Sequence, residues 1–461
     1  MKYREEKDSL GVVKVPEGAC WGVQTQRAVE NFPISGLHAH PKLIWASAVI
    51  KKAAALANEK LGKLDPALAQ HIVKAAEEVM DGKFDSQFVV DVYQAGAGTS
   101  HNMNTNEVIA NLALELMGLK KGDYKSCSPN DHVNMSQSTN DVFPAAMRVA
   151  AIAVFTDLSG EMKALSGSLS AKAAGFDHIL KSARTHLQDA VPIRLGQEFS
   201  GYAKASEKGV ERLACAIAEL GELGLGGSAA GTGINTHRDY APTVVEYIRE
   251  ITGFDVRPSA NLFYSMQSQG AALMASGALR AIASDLIRIA NDLRLLSSGP
   301  MTGLAEITLP AVQPGSSIMP GKVNPVMAEM LDMVCFQVIG NDRAVEMAAQ
   351  AGQLELNVMM PVMAHNLLMS AEILKNAVRA FRMKCVDGIT ANEERCRYYV
   401  DKSMGIATAL NQHIGYLNAA EVAKESLKTG RSVAEVTKEK GYLSEEDFKK
   451  VFDPMRLTEP G

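Results

Sequence analysis

Apolar residues recur at helical spacing over several long stretches of the chain. The clearest stretch runs from about Tyr264 to Ser297, and its apolar positions lie three and four residues apart, at Leu279, Ile282, Leu286, Ile289, Leu293 and Leu296. This heptad spacing keeps one apolar stripe facing a partner helix. Similar patterns follow Asp141, Leu195, Pro325 and Leu354. Five helices of this length predict a long bundle, and the seams of such bundles often continue across a subunit interface.

The composition agrees with a helical fold. Hydrophobic residues make up 47% of the 461 residues but aromatic residues only 6%, a mixture that favours close-packed helices over a β-sandwich. We therefore predict a mainly α-helical protein of three domains. Residues 1–140 combine short elements with helices, residues 141–395 carry the long helices, and residues 396–461 form a smaller, more polar helical domain.

Charge and cysteine usage argue against several classes of protein. The net charge is -5 without a basic block, which argues against nucleic-acid binding, and charged residues interrupt each long apolar stretch before about 18 residues, which argues against a membrane span. The charged start of the chain lacks the apolar core of a secretion signal. The six cysteines form no CxxC pair and the histidines no helical metal pair, so we expect reduced thiols, no zinc and a cytoplasmic location.

Four loops rich in small polar groups precede predicted helices, at residues 94–107, 130–141, 184–190 and 315–325. In the last loop, Pro325 suits the first position of a helix and Asn324 its N-cap, which places Lys322 at the positive end of the helix dipole. Unpaired backbone N–H groups and an ammonium converge there on a site for an anion. The loop at 130–141 repeats the arrangement, and two such sites suit a small dicarboxylate.

Each of these features also has a simpler interpretation. Any one loop alone is more readily an ordinary helix cap, although four of them in one chain weaken that interpretation. His186 is either a hydrogen-bonded core histidine or a functional group, and its polar neighbours give the two equal weight. Gly96 and Gly98 fail the spacing of a dinucleotide fingerprint and residues 315–323 that of a phosphate loop, so we expect no nucleotide site.

The loop motifs resemble the fumarase/aspartase superfamily, and the resemblance covers the whole chain. Its most specific signature is GSSIMPGKVNP at residues 315–325. Further matches are IKKAAA at Ile50, NMNTNEV at Asn102, SQSTND at Ser136, RTHLQDA at Arg184, NDLRLLSSGP at Asn291 and GQLELNV at Gly352. The resemblance implies a homotetramer whose long helices form a twenty-helix core, with each active site assembled from loops of three subunits.

Enzymes of this family remove a C–H proton beside a carboxylate and expel a neighbouring amine or hydroxyl, which gives fumarate. The resemblance implies that Ser316 is the general base, acting as an alkoxide on a loop that closes over the substrate, and that His186 is the second catalytic residue. Closure, desolvation and positive potential favour the alkoxide. The implied substrate-binding residues are Thr99, Ser138, Thr139, Asn140, Thr185, Ser317, Lys322 and Asn324.

By the same resemblance these residues form three groups. Ser138, Thr139 and the backbone near Ser317 hold the carboxylate that becomes the enediolate. The other carboxylate is held by Lys322, Asn324, Thr185 and His186. Thr99 and Asn140 face the leaving group. The resemblance requires no cofactor and no metal ligand, and activation by a divalent cation is not readable from the sequence.

The leaving group decides between two activities. Residues 98–100 (GTS) and 138–140 (STN) resemble aspartases, whereas residues 21–26 and 235–237 look more like fumarases. Two departures from the family pattern lie elsewhere, at Met301 and Met360. We favour elimination of ammonia from L-aspartate over elimination of water from L-malate, because the loops at the leaving group weigh more than peripheral ones. A third hypothesis is a non-catalytic helical assembly protein.

Overall fold

The computed structural model describes residues 2–453 and 455–460, most of which are helical. This confirms the predicted mainly α-helical class. The helices of this described part are α1 (Val23–Asn31), α2 (Pro41–Lys60), α3 (Pro66–Met80), α4 (Thr99–Leu116), α5 (Thr139–Gly175), α6 (Leu195–Leu220), α7 (Tyr240–Thr252), α8 (Leu262–Gln267), α9 (Gly270–Leu296), α10 (Val326–Gln350), α11 (Met360–Lys384), α12 (Glu393–Lys402), α13 (Asn411–Thr429), α14 (Val433–Lys440) and α15 (Glu445–Val451).

The strands pair into small two-stranded sheets. Three pairs are antiparallel: β1 (Tyr3–Asp8) with β2 (Gly11–Pro16), β3 (Leu180–Thr185) with β4 (Gln188–Arg194), and β7 (Ile307–Thr308) with β8 (Thr390–Ala391). The pair β5 (Glu222–Leu223) and β6 (Arg257–Pro258) is parallel. These sheets are too small to form a core of their own, so the helices supply the interior.

The chain forms two compact units. The first consists of the residues up to Ser159, Glu211–Ala283 and Phe336–Lys375, and the second of Gly160–Val210, Ser284–Cys335 and the residues from Asn376 onward. This division falls inside each of the five long helices α5, α6, α9, α10 and α11. The division into three domains at residues 140 and 395 stays a prediction.

The six apolar residues of the predicted seam lie in α9, and all six are buried. The helix begins at Gly270, so the predicted start near Tyr264 is wrong. The residues before it form the separate helix α8, which Asn261 caps by accepting the N–H of Tyr264. Ser268 is extended and ends α8, which breaks the helical run that the apolar spacing had predicted as continuous.

Two of the helices are long and apolar enough to cross a membrane, namely α5 and α9. The most apolar stretch of α5 is 83% buried within the protein and that of α9 44%. Core helices of globular proteins pass the same criterion. Arg148 and Asp157 also interrupt the apolar run of α5, as expected from the sequence.

A helical core in the first unit supports the start of α4. Buried residues of α2, α3 and α4, among them Ile44, Ile72 and Val108, form one continuous cluster. Helix α4 is buried from Ser100 to Leu114, although its first half is polar. Polar side chains buried at this depth need hydrogen-bond partners inside the protein, and those partners lead to the candidate site.

Candidate active site

The structure divides the ten predicted site residues between the two units. Thr99, Ser138, Thr139 and Asn140 belong to the first unit, and the second contains Thr185, His186, Ser316, Ser317, Lys322 and Asn324. The first set lies at the starts of α4 and α5. The second set lies on the β3–β4 hairpin and in the segment between β7 and α10.

The start of α4 packs against the start of α5 at Gly98. This residue has φ +82°, and a Cβ there would lie 2.2 Å from the ring of Phe143, so only glycine permits the approach. Thr99, the first residue of α4, is exposed, and its Oγ1 lies 3.5 Å from the carbonyl oxygen of Gly96. The close packing at Gly98 therefore places Thr99 beside the start of α5.

We name residues 138–141 the α5 corner, because the chain turns into α5 there. Ser138 Oγ accepts the backbone N–H of Asn140 at 3.2 Å. Asn140 Nδ2 donates to the carbonyl of Ala229 at 2.8 Å, in the glycine-rich stretch that follows β5. Within the described residues no group donates to Asn140 Oδ1, so this oxygen is the acceptor that the side chain leaves open.

Asp141 fixes the corner from the inside of the protein. Its buried carboxylate accepts the backbone N–H of Ser138 at 2.9 Å, of Gly226 at 3.1 Å and of Ser228 at 3.0 Å. Burial raises the pKa of Asp141 to about 6, against the lowering effect of these N–H groups and of Lys51. One carboxylate thus joins the corner to the turn after β5.

A buried amide network lies beneath Thr139. Asn102 of α4 donates from Nδ2 to Thr139 Oγ1 at 3.1 Å and to Asn134 Oδ1 at 3.3 Å. Asn134 Oδ1 also accepts from Asn106 Nδ2 at 3.2 Å and from Lys51 Nζ at 2.9 Å. Because the Thr139 oxygen accepts a bond from below, its hydroxyl hydrogen is free to donate outward.

In the second unit, the β3–β4 hairpin carries Thr185 and His186 at its tip. The turn residues His186 and Leu187 have φ values of 57° and 59°, the left-handed pair of a type I′ turn. All three residues are exposed, which excludes the interpretation of His186 as a core histidine. The sequence predicted a loop at residues 184–190, whereas the structure places most of them in the two strands of this hairpin; α6 begins at Leu195, as predicted.

A buried ion cluster holds the base of this hairpin. Glu306 is fully buried and accepts from Arg184 Nη1 at 3.0 and 2.9 Å, with Lys181 Nζ at 3.4 Å. Lys181 also donates to Glu198 at 2.7 Å, and the Arg184 guanidinium lies 5.1 Å from the ring centre of Tyr399. Glu306 directly precedes β7, so the cluster ties the hairpin to the strand that leads toward Ser316.

We name residues 315–324 the base loop. Its ends are tied together, since Gly315 N donates to the carbonyl of Lys322 at 2.7 Å and Asn324 Nδ2 to the carbonyl of Gly315 at 2.6 Å. A Cβ on Gly315 would lie 2.5 Å from Lys322 O, so this closure needs glycine. Helix α10 begins at Val326, and the prediction that Asn324 caps it is wrong, because its side chain binds the loop instead.

Ser316 lies just inside this closure. It is half-buried, and its Oγ accepts the backbone N–H groups of Ile318 at 3.2 Å and Met319 at 2.9 Å. Ser317 and Lys322 are exposed. Across the part of the chain that the structure describes, no carboxylate lies within 4 Å of the Lys322 ammonium. A cavity of about 460 Å³ opens beside the loop, lined in part by Ser316 and Lys322.

The predicted site residues therefore offer hydroxyls, amides, one imidazole and one ammonium. Within residues 2–453 and 455–460, no three His, Cys, Asp or Glu side chains gather into a group that could hold a metal ion. Neutral donors with a single unpaired cation suit a carboxylate ligand. In each unit, these groups can donate hydrogen bonds to a small anion and polarise it.

Several supporting residues were missed from the sequence, namely Lys51, Asn134 and Glu306. Lys51 stands inside a matched motif, and its position offered a signal: Ser47 and Ala55, one helical turn before and after it, are small residues on the buried face of α2. A lysine on a buried helical face needs an internal partner. Glu306 offered no comparable signal, because its neighbours in the sequence do not reveal its partners.

Comparison with known proteins agrees with the fold and the motifs. A family model described as "Lyase" matches residues 11–340, and one described as "Fumarase C C-terminus" matches residues 406–459. An aspartate ammonia-lyase of a Bacillus species is 49% identical, with 99% of this chain and 98% of the relative covered. A class II fumarate hydratase of Halobacterium salinarum is 52% identical, with 100% and 98% covered.

A solved structure of a fumarase has the same fold as this chain. The class II fumarase of Schistosoma mansoni superposes with a TM-score of 0.95 at 38% identity, and 99% of each chain is covered. Relatives of both names thus match the full length of the chain at similar identity. The distinction between the two activities has to come from individual residues.

Proposed function

Since this chain belongs to the fumarase/aspartase superfamily of lyases, we propose that it is an aspartate ammonia-lyase, which eliminates ammonia from L-aspartate to give fumarate. The observation that carries the choice is Asn140. Its Nδ2 donates to the carbonyl of Ala229, which leaves Oδ1 as an open acceptor, and we assign this oxygen to the leaving group. An ammonium has only donors to offer, and an open acceptor oxygen suits it. Thr99, exposed at the start of α4, completes this part of the site.

The α5 corner receives the carboxylate next to the acidic C–H bond in this proposal. Removal of that proton spreads charge into the carboxylate and makes a doubly charged enediolate. Ser138 and Thr139 stabilise it as donors fixed before the reaction, with help from the backbone near Ser317. Each such donor is worth about 3–4 kcal/mol where one has been removed from an oxyanion site.

Ser316 takes the proton as an alkoxide. Its Oγ already accepts two backbone N–H groups, and such hydrogen bonds stabilise the charged form of the group that accepts them. The ammonium of Lys322, on the same loop, adds positive potential. Lys322 and Asn324, with Thr185 and His186, bind the second carboxylate.

The assembly proposed for the chain is a homotetramer, in which loops of three subunits complete each site. The exposed apolar side chains of Met333, Phe336 and Met347 on α10 support self-association, being 57–64% exposed in the single chain. We propose a cytoplasmic enzyme that needs no cofactor. Activation by a divalent cation is measured by adding the cation to the purified enzyme and following turnover.

The direct test is to incubate the purified protein separately with L-aspartate and with L-malate and to follow fumarate by its absorbance. We expect fumarate from L-aspartate. Fumarate from L-malate alone would identify a fumarase and overturn the choice based on Asn140. Fumarate from neither substrate would support the third hypothesis, a helical assembly protein without activity.

Buried Met360 supports the fumarase alternative. Aspartases commonly carry Glu at this position, whereas here Gln269 Nε2 lies 3.5 Å from Met360 Sδ. A Glu at this position would add a buried carboxylate to the first unit, and its replacement by a thioether removes that charge. For this reason the assay needs both substrates from the start.

A further inference from the structure

Lys51 is a buried charge that none of the roles above uses. Its side chain is fully buried in α2, and its Nζ donates to the amide oxygens of Asn134 and Gln137, each at 2.9 Å. Among the described residues no carboxylate pairs with it within 4 Å. An unpaired ammonium in the interior lowers stability, so its presence calls for another reason.

The hydrogen bonds of Lys51 lead directly to the α5 corner. Gln137 immediately precedes Ser138. Asn134 shares its oxygen with Asn102, whose amide then donates to Thr139 Oγ1 at 3.1 Å. The ammonium therefore bonds directly to Gln137, the residue before the corner, and is separated from Thr139 by the amides of Asn134 and Asn102.

The network that surrounds Asn134 has two unused acceptors. The amide oxygens of Asn102 and Asn106 are buried and have no donor within the described residues. Both side chains turn their NH₂ groups to Asn134 Oδ1, which thus accepts three donors. Two amide N–H dipoles and one positive charge thus converge on Asn134, and Asn102 connects this point to Thr139 of the corner.

We propose that Lys51 is a positioning residue for the elimination, whose ammonium holds the α5 corner in place and supplies positive potential behind the carboxylate that becomes the enediolate. This inference rests on the proposed function. The enediolate carries one more negative charge than the bound substrate, so the potential from Lys51 favours the transition state over the ground state. Loss of the charge therefore lowers kcat more than it raises KM.

The titratable groups that face Lys51 are Asp141 from the corner and His101 from α4. Burial lowers the pKa of Lys51 to about 7, raises that of Asp141 to about 6 and lowers that of His101 to about 4. Above pH 7, Asp141 is thus ionised and His101 neutral. Of the three, only Lys51 changes charge as the pH rises from there.

The test compares kcat and KM of the wild type with those of Lys51→Met and Lys51→Gln between pH 7 and 10. Lys51→Met removes both donor and charge, and we expect kcat to fall about 100-fold at pH 7. Lys51→Gln keeps a donor without the charge and, if Lys51→Met fails to fold, stands in for it. The matched control is Lys52→Met, because Lys52 is the next residue and its ammonium pairs instead with Glu77 at 2.7 Å.

The pH dependence separates positioning by charge from a structural role. We expect the ratio of wild-type to Lys51→Met kcat to shrink as the pH rises, since the wild type then loses the same charge; titration of the substrate amine cancels in the ratio. A ratio that stays constant with pH, or a kcat of Lys51→Met close to that of the active wild type, would overturn the role of Lys51 alone. A wild type inactive on both substrates overturns the proposed function and this inference together.

Discussion

Two stretches of small polar residues precede long helices in this protein, the α5 corner in one unit and the base loop in the other, and they are held in different ways. The corner rests on buried groups: Asp141 gathers three backbone N–H groups, and Asn102 supports Thr139 from below. The base loop is closed at its ends by Gly315 and Asn324, the hydrogen bonds of the residues between lie within the loop itself, and most of its residues are exposed.

The difference matches the tasks proposed for the two regions. A group that stabilises developing charge acts best when it is fixed before the reaction. A base on a loop has to move, because the substrate must enter before the site closes. We therefore expect the loss of any one hydrogen bond at the corner to have a small effect on activity. In the base loop, by contrast, the loss of the single atom Ser316 Oγ should have a large effect.

The sharpest test of the loop is Ser316→Ala. We expect kcat to fall about 1,000-fold, with the denaturation midpoint and the oligomeric state unchanged, because the half-buried hydroxyl supports no core packing. The control is Val323→Ala, an exposed residue of the same loop to which no role in binding is assigned, and it should keep near-normal kcat. Near-normal turnover of Ser316→Ala would remove Ser316 from the role of base.

The second prediction concerns the anchor beneath the hairpin. Glu306→Gln leaves the charges of Arg184 and Lys181 without their buried partner, so we expect the free energy of unfolding to fall by about 3 kcal/mol. The control Glu198→Gln affects a more exposed carboxylate, whose side chain is 24% accessible, and should cost less than about 1 kcal/mol. Denaturant titrations of both variants measure the difference.

Equal losses in the two variants would mean that Glu306 is not the anchor of the hairpin. If the losses differ as predicted, the hairpin beneath His186 is rigid, and the base loop is the weakly supported part of the second unit. Activity of Glu306→Gln should then fall less than that of Ser316→Ala.

Much of this organisation was predictable from local sequence. The heptad spacing of α9 identified its buried stripe, and the polar run at Ser138 identified the start of α5. The hairpin at His186 was missed, because two residues other than glycine with positive φ occupy its turn, where sequence signals for a type I′ turn are Asn-Gly or Asp-Gly.

The supports of the corner and hairpin were not predictable from one sequence. Lys51 and Asn134 are 83 positions apart, and Arg184 and Glu306 are 122 apart. Periodicity reports which face of a helix is buried but not which distant residue meets it. A buried Lys or Glu therefore indicates that a partner exists without identifying it.

The third prediction tests the buried charge through stability. The pKa of Lys51 is about 7 in the folded protein and 10.5 in an unperturbed lysine. Between these values the unfolded chain binds more protons, so the free energy of unfolding rises with pH. We expect the wild type to gain about 3 kcal/mol relative to Lys51→Met between pH 7 and 9.5.

Denaturation midpoints of wild type, Lys51→Met and Lys52→Met at the two pH values measure this effect. Lys52→Met should follow the wild type, because Lys52 pairs with Glu77 at the surface. Parallel pH dependences of wild type and Lys51→Met would mean that Lys51 does not titrate in this window. The corner would then contain a permanent charge instead of one that depends on pH.

The smallest effect is expected at Asn102. Asn102→Ala removes the bond to Thr139 Oγ1, but Asp141 still fixes the backbone of the corner and Lys51 still donates to Asn134. We expect kcat/KM to fall about fivefold, the equivalent of about 1 kcal/mol for one neutral hydrogen bond.

Asn111→Ala is the control on the same helix, because Asn111 is buried with three partners of its own yet contacts no residue of the corner. It should lower stability and leave kcat/KM unchanged. A loss at Asn102 as large as that at Ser316 would contradict a corner that shares its support among many groups and would make Thr139 depend on this one bond.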